Sequence, residues 1–131
     1  MNLDVRWKQR FHNFEKAFLF FEQACKQKSY SQLEAAGLVQ CFEFTFELAW
    51  KTLKDFLTEQ AFIVQSPRET IKQAFASDYL KDGHTWIQML EQRNLLSHTY
   101  NEKQAQAATN LIRESYYPAI QQAYQFLKSI S

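Results

Sequence analysis

The stretch WKQRFHNFEKAFLFFEQAC, residues 7–25, carries its large apolar side chains at Trp7, Phe11, Phe14, Phe18, Phe21 and Cys25. Alternating steps of four and three residues hold those side chains on one stripe of an α-helix for about five turns. The stretch therefore predicts a helix that starts near Asn2 or Asp4 and is ended by the polar run KQKSYSQ, residues 26–32. Leu19 and Phe20 fall off the stripe. The helix is thus apolar on more than one side and packs between neighbours or in an interface. Ser29 or Ser31 is placed to cap the next helix.

Working outward, the chain from Leu33 to about Glu59 repeats the helical pattern with more than one apolar ridge. One ridge runs through Leu33, Gly37, Cys41, Phe44 and Leu48, and others through Phe42, Phe46, Ala49, Leu53 and Phe56, which places this helix at the centre of a bundle. Ser66-Pro67-Arg68-Glu69 combines a serine N-cap, proline at the first helical position and glutamate at the third, so a short helix runs from Pro67 to about Ser77. Lys81-Asp82-Gly83 reads as a turn. Trp86, Met89 and Leu90 then carry a fourth helix into residues 93–98. Asn101 and Gln104 have capping-box spacing and open a last helix to about Lys128, which Pro118 should kink or split. The fold class is all-α, one domain over residues 1–131, with no internal repeat or linker.

Composition agrees with that reading. Two glycines and two prolines in 131 residues leave little to interrupt helices. The net charge of +1 points to no polyanionic partner by itself. Cys25 and Cys41 have no second pair, no C-x-x-C and no histidine cluster, so they read as small buried hydrophobes, with neither a disulfide framework nor a zinc site. The start of the chain, MNLDVRWKQRF, lacks the apolar core of a secretory signal, and no run of about eighteen apolar residues is present to cross a bilayer. A cytoplasmic protein is expected.

The most informative polar stretch is RNLLSHTY, residues 93–100. At about 100° per residue, Arg93 and Tyr100 share a helical face while His98 lies roughly 140° from Arg93. One regular helix cannot bring all three side chains to a point. Either the helix unwinds after Ser97, or a second copy of the chain supplies the missing partner. The plain alternative is a polar helix flank with Tyr100 packed under the turn.

Other polar groups are weaker candidates. His12 and His84 lack an i+4 partner of metal-binding type and read as solvated or capping residues. Glu43 and Glu47 lie one helical turn apart and suit salt bridges or interface contacts to Arg or Lys better than acid-base work. Arg6, Lys8 and Arg10 can meet an RNA backbone or simply form a solvated helix face. Trp7, Trp50 and Trp86 occupy core positions.

RNLLSHTY resembles the R-x4-H-x-Y motif of HEPN domains, in particular the branch of nucleotidyltransferase substrate-binding proteins. CFEFTFELAWKTLKDFL (41–57), SPRETIKQAF (66–75) and the stretch 86–100 resemble blocks of that branch in the same order. One departure is Cys41, where the branch more often carries a basic residue.

The resemblance implies an up-and-down bundle of about five helices that forms a homodimer, with two motifs facing one cleft. It implies a metal-independent ribonuclease with no cofactor, in which His98 moves a proton of a ribose 2'-hydroxyl and Arg93 holds charge developing on phosphate oxygens. Asn94 and Ser97 support the motif. It further implies a separate minimal nucleotidyltransferase as partner, in a toxin and antitoxin module where transfer of AMP to Tyr100 silences the nuclease. That enzyme's own pattern, Gly-Ser followed by paired aspartates, is absent from this chain. The alternative is a non-catalytic subunit that presents a substrate to the nucleotidyltransferase.

Overall fold

The computed structural model describes residues 2–131, and their regular structure is helical throughout. The order is α1 (Leu3–Ala24), α2 (Gln32–Glu59), α3 (Pro67–Ala76), α4 (Gly83–Glu91), a 3-10 turn (Leu95–His98), α5 (Glu102–Leu111), a π turn (Ile112–Tyr116) and α6 (Tyr117–Ile130). Because the π turn joins α5 to α6 without a break, the described residues form five helical rods.

The caps follow the sequence closely. Asn2, Ser31, Ser66 and Asn101 each accept a backbone N–H of the first turn, and Ser31 and Glu34 form a reciprocal capping box. Each bond satisfies a donor that a helix start otherwise leaves unpaired.

The long helices α1 and α2 pack antiparallel. Their order is visible in the cross-helix pairs, from Phe21 against Phe42 at one end to Trp7 against Phe56 at the other. The α1 stripe lies wholly in the core, with Phe14 and Phe21 at 0% exposure. Burying one such ring stabilises the fold by about 1.5–3 kcal/mol. Helix α6 covers the other side of the stripe, where the Tyr124 ring stacks on Phe18 at 4.3 Å between centroids. The Tyr124 hydroxyl donates to Glu15, which Lys128 also reaches at 2.9 Å.

On α2 the structure corrects the choice of ridge. Phe42, Phe46, Ala49, Leu53 and Phe56 are buried as expected, but Leu33 and Phe44 are 83% and 61% exposed. Cys41 and Leu48 on that same ridge are half-buried, so Cys25 alone of the two thiols is buried as expected. The physical reason is that no other helix covers the outer side of this ridge. It borders the exposed Phe20 of α1 instead.

Pro118 is accommodated without a sharp break. The preceding π turn shifts the ladder by one residue, so the Tyr117 N–H reaches the Ile112 carbonyl five residues back. Proline then opens α6 as one of its first residues, where its missing N–H costs little.

Candidate functional site

The segment 92–101 is an irregular strap between α4 and α5. Sequence spacing put residues 93–98 on the fourth helix, either unwinding after Ser97 or completed by a second copy of the chain; in the structure α4 ends at Glu91, before the motif begins. A contact from far along the chain meets that end. The Tyr116 hydroxyl, within the π turn, donates to Gln92 Oε1 at 3.0 Å and ties the end of α4 to the core. Beyond Gln92 the backbone tightens into the 3-10 turn, whose closing bonds run from Ser97 N to the Asn94 carbonyl at 3.4 Å and from Thr99 N to the Leu96 carbonyl at 3.2 Å.

Two residues anchor the strap in the bundle. Leu95 and Thr99 are 3% and 6% exposed, while the motif residues Arg93, Asn94, Ser97, His98 and Tyr100 are all exposed. The Thr99 hydroxyl donates to the Leu96 carbonyl at 2.7 Å, and its own carbonyl accepts from Gln32 Nε2 at 3.0 Å. Thus the start of α2 holds the end of the strap.

A carboxylate of α2 holds the beginning. Arg93 Nη1 lies 3.5 Å from Glu47 Oε1. The same carboxylate accepts from Trp50 Nε1 at 3.0 Å and lies 4.0 Å from Lys51 Nζ. One turn earlier, burial pushes the Glu43 carboxyl above the usual range, opposed in part by the backbone N–H of Leu95. The i, i+4 spacing of Glu43 and Glu47 did signal ion pairing, but that Arg93 is the partner depends on tertiary packing. The Gln32 and Tyr116 contacts left no local signal.

Each motif side chain now has a place. Asn94 heads the 3-10 turn, and its carbonyl accepts from the Ser97 hydroxyl at 3.0 Å. His98 ends that turn, and among the described residues its ring has no hydrogen-bond partner. Tyr100 is 73% exposed, and its hydroxyl accepts from Gln104 Nε2 at 3.0 Å. Among the described residues no hydrogen bond or ion pair joins Arg93, His98 and Tyr100 to one another. One chain therefore displays a guanidinium, an imidazole and a phenol on one strap without assembling them. An imidazole can accept or donate a proton near neutral pH, and a guanidinium can chelate a phosphate.

The remaining candidates are engaged elsewhere. Arg10 and Arg6 pair with the buried Asp55 at 2.7 and 3.6 Å, and Lys8 with Asp4 at 3.2 Å, so this row ties α1 to α2 and to itself. Burial pushes the Cys25 thiol up to about 12 and raises that of Cys41, which keeps both protonated. Among the described residues no three His, Cys, Asp or Glu side chains converge as metal ligands. No described helix is long and apolar enough to cross a membrane.

Comparison with known proteins fits this architecture. Residues 9–129 match the family described as "nucleotidyltransferase substrate binding protein like". The chain belongs to that family, and its likeness to HEPN proteins extends to a curated relative. It is 30% identical over 77 residues to a probable ribonuclease HepT of Haemophilus influenzae, a match covering 55% of this chain and 53% of the relative. The aligned stretch thus spans about half of that protein's length. The chain also superposes on a crystal structure from Thermus thermophilus with a TM-score of 0.78 and 30% identity, covering 88% of this chain and 98% of that one.

Proposed function

We propose that this chain is a metal-independent endoribonuclease that works in the cytoplasm as a homodimer, the toxin of a module whose other member is a separate nucleotidyltransferase. The observation that carries the reading is the strap itself, on which Arg93, His98 and Tyr100 stand exposed and supported from α2. Membership of the nucleotidyltransferase substrate-binding family supports the partner.

The chemistry needs two copies. A neutral His98 takes the proton of a ribose 2'-hydroxyl as that oxygen attacks the adjacent phosphorus. The P–O bond to the 5'-oxygen breaks, and the partner's His98, protonated, gives its proton to the leaving oxygen. A cyclic phosphate and a 5'-hydroxyl result, while Arg93 steadies the charge on the non-bridging oxygens. A single imidazole in one charge state cannot serve both ends.

The apolar face left by the outward ridge supports the dimer. Phe20 is 71% exposed and borders, with Phe44, Cys41, Leu48 and Lys16, an open groove of about 480 Å³. Exposed aromatic rings so concentrated mark an interface, and burial against a second copy removes them from water. Sedimentation at micromolar concentration should give a dimer, and Phe20→Glu with Phe44→Glu should give a folded monomer without nuclease activity.

Silencing follows from Tyr100. Its oxygen attacks the α-phosphorus of ATP held by the nucleotidyltransferase, pyrophosphate leaves, and the phenolic proton is released. The new phosphodiester adds negative charge beside Arg93 and competes with an RNA phosphate. Incubation with the cognate nucleotidyltransferase, ATP and magnesium should add one or more AMP masses, and Tyr100→Phe should abolish the addition.

A second reading has one observation in its favour. Arg93 is already neutralised by Glu47, and His98 has no hydrogen-bond partner in one chain, as befits a subunit that only presents a substrate to the nucleotidyltransferase. Purified protein that binds RNA or nucleotide yet cleaves no RNA would establish that reading instead.

A further inference from the structure

We infer that Glu47 is the positioning residue of Arg93: its carboxylate fixes one corner of the guanidinium so that the remaining edge is presented to an RNA phosphate. The inference rests on the nuclease reading above, since it assumes that Arg93 meets phosphate. Glu47 touches no substrate in this account and acts through Arg93 alone.

Two observations carry it. First, the contact is one-cornered. Arg93 Nη1 faces Glu47 at 3.5 Å, while Nε and Nη2, which carry three of the five guanidinium N–H groups, have no partner among the described residues. Those two nitrogens form the edge that chelates a phosphate through parallel hydrogen bonds. Second, Glu47 is itself held in place. Trp50 Nε1 donates to Oε2 at 3.0 Å from a ring that is only 9% exposed, and Lys51 lies 4.0 Å from the same oxygen. The oxygen used by Arg93, Oε1, is thus oriented by a bond to Oε2.

The contrary role for Glu47 is shielding, in which it merely cancels the charge of Arg93 and repels RNA. The two roles predict opposite signs. If Glu47 positions Arg93, its loss weakens RNA binding despite removing a negative charge. If it shields, its loss strengthens binding.

The test measures binding of a short fluorescein-labelled single-stranded RNA of mixed sequence to the full-length protein in chelator. Arg93→Ala should weaken binding about tenfold or more, the worth of a hydrogen bond to a charged group. Glu47→Ala should weaken it about two- to fivefold, the worth of an exposed ion pair. Glu47→Gln keeps the reach but has a single accepting oxygen, which can serve Trp50 or Arg93 and not both, and should bind between the parent and Glu47→Ala. Glu47→Asp keeps the charge but is one methylene short, and should behave like Glu47→Ala. In the Arg93→Ala background, Glu47→Ala should weaken binding no further.

Stronger binding by Glu47→Ala or Glu47→Gln, or additive losses in the double variant, would each overturn the inference. An Arg93→Ala protein that binds and cleaves RNA like the parent would overturn the nuclease reading itself, and the inference with it. Should Glu47→Ala fail to fold by circular dichroism, Glu47→Gln decides, with weaker binding if Glu47 positions Arg93 and stronger binding if it shields.

Discussion

Two segments rest on α2 and are held there by different means. Along α1 the contact is a succession of interlocked rings, from Trp7 on Phe56 to Phe21 on Phe42, supplemented by the ion pairs of Asp55. The strap 92–101 has one buried leucine, one buried threonine and a few polar tethers from Gln32, Glu47 and Tyr116. Packing of rings stabilises strongly but admits one arrangement, whereas exposed polar contacts contribute little each and can be exchanged for a ligand's. The difference separates the part that holds the fold from the part to which the proposed chemistry is assigned. It also places the motif at the end of the molecule's stability range from which mobile functional segments are drawn.

The largest expected effect breaks the first region. Phe46 is fully buried on α2 beneath Trp86, and Phe46→Ala should lower the unfolding free energy by about 3–5 kcal/mol. Chemical denaturation measures it, and a loss below about 1 kcal/mol would mean that the ring is not a keystone of the core.

A smaller effect sharpens the contrast. Amides of residues 95–99 should exchange with solvent well before those of the α1–α2 core, because the strap's closing bonds are long and at its surface. Leu95→Ala should speed exchange in the strap further while core amides keep their rates. Uniform acceleration of both would show that the strap is an integral part of the cooperative core.

The smallest effect is electrostatic. Burial raises the Glu43 carboxyl in the folded state, so its favourable contribution is full below the unfolded pKa and is lost as pH rises through the folded one. Ionised Glu43 therefore costs stability at neutral pH. Glu43→Gln should raise the melting temperature slightly at pH 7, and the gain should vanish as pH falls into the ordinary carboxylate range. A loss at pH 7 would mean that the charge on Glu43, through the Leu95 N–H, outweighs its burial.

Much of the fold was legible because its determinants are local. The stripe from Trp7 to Cys25, the caps at Ser31, Ser66 and Asn101, and the turn at Asp82 are short-range patterns with direct physical readouts. The outward ridge of α2 was not, because periodicity reports that Phe44 and Phe42 belong to different faces without saying which face the same chain covers. At the site, the motif's residue types were visible but not its geometry. The end of α4 is met by Tyr116 reaching Gln92 across 24 positions, and the seat of Arg93 depends on Glu47 across 46. Pro118 announced a disturbance in the last helix, yet the π turn that absorbs it lies before the proline.

The central claim is that the strap carries metal-independent acid-base chemistry on RNA through His98. The direct measurement is the rate of RNA cleavage by purified protein in chelator, comparing the parent with His98→Ala at matched circular dichroism and melting temperature. The account predicts cleavage by the parent and a loss of about 10²-fold or more in the variant, with stability unchanged because His98 is exposed. Equal rates for the two proteins, or cleavage by the parent only when magnesium is added, would contradict it.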